Sequence, residues 1–244
     1  MMNLIVDVGN TLVKLAVFQG GDLIDKENDV LENFNVNFEQ LLKKYPKIQK
    51  CILSSVGLLT DKQLEFAKKQ LNILILNGET PLPFINDYKT PQTLGVDRIA
   101  LVCAAVKNFP NQNTLIIDAG TCITYDFVTQ TNHYLGGSIS PGIRLRYTSL
   151  NNLTANLPLL TKEVPETIIG DTTKSAIHAG VVLGSLFEIE GVILTYQRKY
   201  SDLTVILTGG DANFLSKQLK SSIFAHPNFL LEGLNYILQY NSNE

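Results

Sequence analysis

Asp7-Val8-Gly9-Asn10-Thr11 stands between two apolar runs, and Asp118-Ala119-Gly120-Thr121 repeats it in a matching setting. Each copy reads apolar strand, Asp-x-Gly, hydroxyl residue, strand. Leu4-Ile5-Val6 precedes the first and Leu12 to Val17 follows it; Thr114 to Ile117 and Cys122 to Val128 flank the second. A glycine lets backbone approach a ligand closely, and neighbouring N–H and hydroxyl groups can donate to phosphate oxygens. A carboxylate beside such a turn repels phosphate unless a cation lies between them. Alone, the first loop reads equally well as a tight hairpin turn, because Gly-Asn is a turn dipeptide. Its second copy favours two halves that clamp a nucleotide polyphosphate through bound cations, with Thr11 and Thr121 on phosphate oxygens. Lys14 either reaches phosphate or occupies a solvent position on an edge strand; Thr124 either joins the phosphate contacts or is a plain strand residue.

Four further segments carry candidate chemistry. Thr208-Gly209-Gly210-Asp211 follows an apolar strand and opens a helix. Paired glycines there let a flat adenine lie against backbone near a helix N-terminus; an ordinary turn with Asp211 as N-cap is the alternative. Gly95-Val96-Asp97-Arg98 opens a helix after a proline-rich loop that contains Tyr88. Asp97 suits a helix N-terminus electrostatically, and Arg98 offers a rigid fork of donors for carboxylate or phosphate. An idle surface charge would be out of place before the apolar run Ile99–Ala105. Gly136-Gly137-Ser138-Ile139-Ser140-Pro141-Gly142 is a glycine-rich turn without the lysine of a P-loop, and Gly170-Asp171-Thr172-Thr173 precedes a long helix, where Thr173 either meets substrate or belongs to the cap.

The elements that must position these residues come in two similar series. The first has strands at Asn3–Val8, Thr11–Phe18 and Leu23–Asn28, a helix at Phe38–Tyr45, a strand at Lys50–Val56, a helix from Thr60 to Leu71 with Thr60 as N-cap, and a strand at Ile73–Leu76. A proline-punctuated loop, 78–94, then leads to a helix at Val96–Phe109. The second has strands near Thr114–Asp118, Cys122–Val128 and His133–Ser138, a helix after Pro141-Gly142, a long helix from Thr172 to Tyr196, a strand at Leu203–Leu207, a helix from Asp211 and a closing apolar segment at Phe229–Tyr240. This order predicts a duplicated α/β protein with domains at 1–112 and 113–244 and a short hinge near residues 110–113.

With 244 residues, 45% hydrophobic, the chain can bury a core without disulfides or a structural metal. Its net charge of −3 argues against a nucleic-acid partner. Cys51, Cys103 and Cys122 lack metal or redox spacing and read as buried thiols of a reducing compartment. His133, His178 and His226 form no ligand pattern. The apolar stretch Ala179–Thr195 contains Glu188 and Glu190 and reads as a buried helix rather than a membrane span. No signal peptide is expected at the N-terminus.

In their order and spacing these motifs resemble the type III pantothenate kinases, within the acetate-kinase, sugar-kinase, heat-shock-protein and actin group. The resemblance runs from Asp7–Thr11 through Tyr88–Pro91, Leu94–Arg98, Asp118–Thr121, Gly136–Gly142, Gly170–Thr173 and Thr208–Asp211 to Leu231-Glu232-Gly233-Leu234. Ser149 and Thr172 depart from a usual alanine and asparagine. It implies ribonuclease H-like (actin-like ATPase) domains with mixed sheets flanked by helices. It also implies ATP-dependent phosphorylation of pantothenate, the first step toward coenzyme A, with Asp97 as general base. Asp7, Val8, Gly9, Asn10, Thr11, Leu12, Val13, Lys14, Thr121, Gly209 and Gly210 would bind ATP. Tyr88, Gly95, Val96, Asp97, Arg98 and Thr173 would bind pantothenate. Asp7 would organise Mg²⁺ through the phosphates, and Asp118 would hold a monovalent cation, K⁺ or NH₄⁺. A cytoplasmic homodimer is implied, with the long helix from Thr172 as the natural contact. Another small-molecule kinase of the same group, an actin-like assembly protein and a regulatory accessory protein are the alternatives.

Overall fold

The computed structural model describes residues 1–9, 12–54 and 59–242. These form two compact units, Met1–Asn108 with Asn228–Glu244, and Phe109–Pro227. The first unit begins with an antiparallel series, β1 (Met2–Val8), β2 (Val13–Gln19) and β3 (Asp22–Asp29). It continues through α1 (Phe34–Lys44), β4 (Ile48–Ser54), α2 (Asp61–Gln70), β5 (Asn72–Ile75), the two-residue β6 (Ile85–Asn86) and α3 (Val96–Asn108). The sheet order is β3-β2-β1-β4-β5, with β4 parallel to β1 and β5 parallel to β4. Strand alternation sorts the side chains. Leu4, Val6, Val8, Val13, Leu15, Val17, Cys51 and Leu53 share one core with Phe34 and Phe38 of α1, so Asp7, Lys14 and Ser54 point to the opposite face. Thr60 caps α2 as expected, and Gln63 completes the capping box.

The second unit repeats this plan. β7 (Thr114–Ala119), β8 (Cys122–Val128) and β9 (His133–Pro141) are antiparallel, and β10 (Thr204–Thr208) and β11 (Phe224–Ala225) add in parallel, in the order β11-β10-β7-β8-β9. Relabelled by position along each unit, both sheets run third, second, first, fourth, fifth. This identity of order supports the expected duplication better than residue identity does. Between β9 and β10 lie α4 (Ile143–Asn152), α5 (Thr173–His178) and α6 (Gly184–Lys199), and α7 (Ala212–Ser216) follows β10. A π-helical turn at Ala179–Leu183 joins α5 to α6, giving one helical stretch, Thr173–Lys199. That stretch is long and apolar enough to cross a membrane, but Val182, Leu186, Ile189 and Ile193 are buried with Leu115, Ile117, Tyr125 and Leu207 of the sheet.

The expected division at 112/113 differs at the C-terminus. α8 (Phe229–Tyr240) belongs to the first unit, not the second. It packs on α3 and against β1 and β4. A Cβ on Gly233 would lie 1.9 Å from the Ala100 carbonyl oxygen, so glycine permits the close helix crossing. Asn235 donates to the Gly20 carbonyl and accepts from Asn3, both at 2.9 Å, fixing the helix along β1. Two smaller expectations also change. α7 ends at Ser216 rather than near Leu219, and Cys122, at the head of β8, is exposed while Cys51 and Cys103 are buried.

Candidate active site

In the first unit, Asp7 lies near the C-terminal end of β1, paired in register with Lys14 of β2 and Ser54 of β4. The carboxylate is only 5% exposed, and both oxygens are engaged. Lys14 Nζ donates to Oδ2 at 2.9 Å, and Ser54 Oγ donates to Oδ1 at 2.8 Å. Lys14 is therefore neither idle nor simply solvated; it is the counter-charge of a buried acid. The Gly9 N–H donates to the Leu12 carbonyl at 3.0 Å and closes the turn. Val8 and Val13 are buried in the core, which leaves their backbone as the part that can meet a ligand. Asn10 and Thr11 lie outside the described residues. A divalent ion bound directly by Asp7 would have to displace Lys14, so the arrangement fits a metal organised through phosphate oxygens.

At the start of α3, Asp97 is exposed and its Oδ1 accepts the Arg98 N–H at 2.8 Å. A Cβ on Gly95 would lie 2.4 Å from that oxygen. Val96, between them, is half-buried. Arg98 is not a surface charge. It is 5% exposed, and its guanidinium carbon sits 5.5 Å from the centre of the Tyr88 ring, a cation–π arrangement. The Tyr88 N–H donates to Asn86 Oδ1 at 3.1 Å, which orients the loop ahead of the helix. Asp97, Arg98 and Tyr88 thus form one local group within the unit.

In the second unit, Asp118 pairs in register with Thr124 of β8 and Thr208 of β10. Leu115, Ile117, Ala119, Ile123 and Tyr125 face the helical core, so Asp118, Thr124 and Thr208 share the other face. Gly120 N–H donates to the Cys122 carbonyl at 2.9 Å, and Gly142 N–H donates to the Thr121 carbonyl at 3.0 Å. The loop is thereby backed by the glycine-rich turn, and Thr121 remains exposed. Gly209 has φ of +94°, and a Cβ there would lie 2.3 Å from Asp118 Oδ1 and 2.4 Å from the Ala119 carbonyl oxygen. The Asp211 N–H donates to that same carbonyl at 2.9 Å. The paired glycines are thus bound to the second acidic loop. Asp211 does not cap α7 with its side chain; it pairs with Lys162 instead.

Thr173 is exposed as the first residue of α5. The cap itself is Thr172, whose Oγ1 accepts the Ser175 N–H at 3.1 Å while its own N–H donates to Ser175 Oγ at 3.0 Å. A threonine in place of the usual asparagine therefore preserves the helix start.

Sequence reading missed a network behind the second loop. Glu188 of α6 accepts from Tyr125 (2.8 Å), Ser140 (3.0 Å) and Arg146, and Arg146 Nε donates to the Pro141 carbonyl at 2.8 Å. Burial pushes the Glu188 carboxyl upward, but the Arg146, Tyr125 and Ser140 donors outweigh it and hold the group below its ordinary value. The only sequence signal was an acid within the apolar helix. A second missed pair joins Tyr147 Oη and His178 Nδ1 at 2.7 Å. Ser54 and Thr208 were also missed as partners of the acidic residues, because strand pairing alone brings them there.

A family model described as type III pantothenate kinase matches residues 3–195. The type III pantothenate kinase of Christiangramia forsetii is 53% identical over the whole of both chains. That of Flavobacterium johnsoniae is 49% identical over 98% of each. Among solved structures, a conserved protein of Campylobacter jejuni assigned to the Baf family of transcriptional activators is 22% identical, with a TM-score of 0.63 over 99% of this chain and 100% of that one. The ROK hexokinase of Thermus thermophilus is 11% identical, with a TM-score of 0.52 over 99% and 100%. These two similarities concern the fold, and they agree with the α/β architecture of mixed sheets flanked by helices.

Proposed function

The chain belongs to the type III pantothenate kinase family, and from that membership we propose that it transfers the γ-phosphoryl group of ATP to the primary hydroxyl of pantothenate, opening coenzyme A synthesis. Phosphoryl transfer asks a protein for positioning and charge neutralisation more than for covalent chemistry. Asp97 is the general base. One carboxylate oxygen is held by the Arg98 N–H, so the other is left to accept the hydroxyl proton as the phosphoryl group arrives. That proton leaves late, and an ordinary carboxylate is sufficient. Arg98, fixed against Tyr88, supplies donors for the pantothenate carboxylate, with Gly95 and Val96 beside it; the family resemblance assigns Thr173 to the same substrate.

ATP is held by backbone of the Asp7–Lys14 loop, by Thr121 and by Gly209-Gly210 against the adenosine. Asp7 would organise Mg²⁺ through the phosphates and Asp118 would hold a monovalent cation, which together would supply the charge that lets acidic loops tolerate a triphosphate. Lys14 adds a positive charge at the first loop, held on Asp7. The protein acts in the cytoplasm as a homodimer. Support for that contact comes from the long helix, whose exposed side includes Gly180, Gly191, Phe187 (60% exposed) and Leu194 (49% exposed).

The observation that carries the reading is the Gly-Val-Asp-Arg group at the head of α3, an exposed acid beside a buried, ring-stacked arginine. The experiment is ADP release with pantothenate set against a panel of sugars and acetate. Turnover with pantothenate alone is expected; equal turnover with a sugar or acetate would move the chain to another kinase class.

A further inference from the structure

The Gly120–Thr121 turn leans on the start of α4. The Gly142 N–H donates to the Thr121 carbonyl at 3.0 Å. A Cβ on Gly142 would stand 2.1 Å from the Gly120 carbonyl oxygen and 2.6 Å from that of Thr121. Backbone meets backbone here, with no side chain to take up a shift, and Thr121 stays exposed beyond the contact. Where Gly142 goes, the turn follows.

Gly142 is in turn held from another element. Arg146 of α4 donates from Nε to the Pro141 carbonyl and from a terminal nitrogen to Ser140 Oγ, both at 2.8 Å, and its N–H donates to the Gly142 carbonyl at 3.0 Å. The same guanidinium pairs with Glu188 of α6. Glu188 also accepts from Ser140 Oγ at 3.0 Å and from Tyr125 Oη at 2.8 Å. Both charged side chains are largely shielded, so water competes for the pair less than it would at the surface. The π turn at Ala179–Leu183 lies ahead of Glu188 in the same helical stretch. An α-helix turns about 100° per residue, so the added residue of a π turn sets the side on which Glu188 emerges; such turns are frequent at functional sites.

We propose that Glu188, acting through Arg146 and the Ser140–Gly142 corner, is a positioning residue for the second acidic loop and holds the Thr121 turn in the shape that receives ATP. The proposal rests on the kinase reading for Thr121 as an ATP ligand, and goes further by naming the residue of the long helix that sets the turn. Glu188 touches no reacting atom. Its effect falls on the nucleotide, because the Asp97–Arg98 group belongs to the other unit.

The test uses the intact protein. ATP affinity is read by titration calorimetry with Mg²⁺, the two Michaelis constants by ADP release, and exchange of the Gly142 amide by mass spectrometry. Glu188→Gln keeps the shape of the side chain and removes its charge. Arg146→Lys keeps the charge and removes the fork that spans Glu188 and Pro141. Each should weaken ATP binding about tenfold, leave the pantothenate constant within about twofold and speed exchange at Gly142. The double variant should lose at most about twofold more than the worse single one, since both act through one corner. Ile193→Val makes a cavity in the same helix; it should lower the melting point without moving the ATP constant, which separates positioning from plain stability. If either network variant fails to fold, Ser140→Ala removes one donor to Glu188 and should weaken ATP binding about threefold. An unchanged ATP constant in any of these network variants overturns the proposal. So does an equal rise in both substrate constants, or a loss of ATP affinity that Ile193→Val reproduces. A wild type that binds ATP but shows no pantothenate-dependent turnover defeats the kinase reading alone, and calorimetry still judges Glu188. A wild type that binds no ATP overturns both.

Discussion

Gly209 approaches Asp118 so closely that a Cβ would stand 2.3 Å from the carboxylate Oδ1, and it does so with φ of +94°. Gly209→Ala meets both obstacles, a left-handed backbone and a carbonyl of Ala119 at 2.4 Å. It should lose about 1–3 kcal/mol of stability and weaken ATP binding by more than it slows saturated turnover. Denaturant unfolding and nucleotide titration check this; a wild-type melting curve with unaltered ATP affinity would remove the close contact from the argument.

Asp97→Asn keeps the shape of the acceptor group but removes the proposed base. ATP binding by titration calorimetry should remain near wild type while turnover falls by about 10²-fold or more. Near-normal turnover would take Asp97 out of the proton-transfer role.

Ser54→Ala removes the donor to Asp7 Oδ1, a bond made between buried groups. A cost of about 1–3 kcal/mol in unfolding free energy is expected. Lys14→Met leaves the same carboxylate without its counter-charge, and the Mg²⁺ concentration needed for half-maximal turnover should shift. If neither variant changes anything, the Asp7 group has no structural or catalytic weight.

Glu188 gives a pH prediction with a definite sign. Its donors depress the folded-state value below 4.5, so its contribution to stability is present above the unfolded value and disappears as pH falls through the folded one. The stability difference between wild type and Glu188→Gln should therefore be constant near neutrality and shrink below about pH 4.5. A difference that grows on acidification would contradict the arrangement with Arg146, Tyr125 and Ser140.

Phe187→Glu places a charge on the exposed side of the long helix. Sedimentation should show the proposed homodimer giving way to monomer, while far-ultraviolet circular dichroism stays unchanged. A dimer that survives this change would have its contact elsewhere.

Local chemistry was the readable part of this chain. The apolar runs, the Asp-x-Gly turns, Thr60 as a cap and the start of α3 all follow from neighbours within a few residues, and the structure has them where expected. The partners of the acidic loops were not readable. Ser54 reaches Asp7 across 47 positions, and only the parallel pairing of β1 with β4 makes them neighbours. Likewise only the parallel pairing of β10 with β7 sets Thr208 in register with Asp118. Lys14 was open between solvent and phosphate because a single strand does not say what stands beside it. The closing apolar segment was given to the wrong half for a similar reason: its amphipathic pattern says that one face is buried, not against which sheet. Within the long helix, the π turn at Ala179–Leu183 left no mark in the spacing of apolar residues.

α8 returns to the first unit after the whole of the second has been laid down. During synthesis, then, the ribosome releases the β1–β5 sheet and α3 long before the element that seals them, and the seam around Ala100 and Asn3 must wait for residues 229–240. The second unit is in effect an insertion within the first. Nascent chains stalled before residue 229 should accordingly present a first unit that still lacks its last helix.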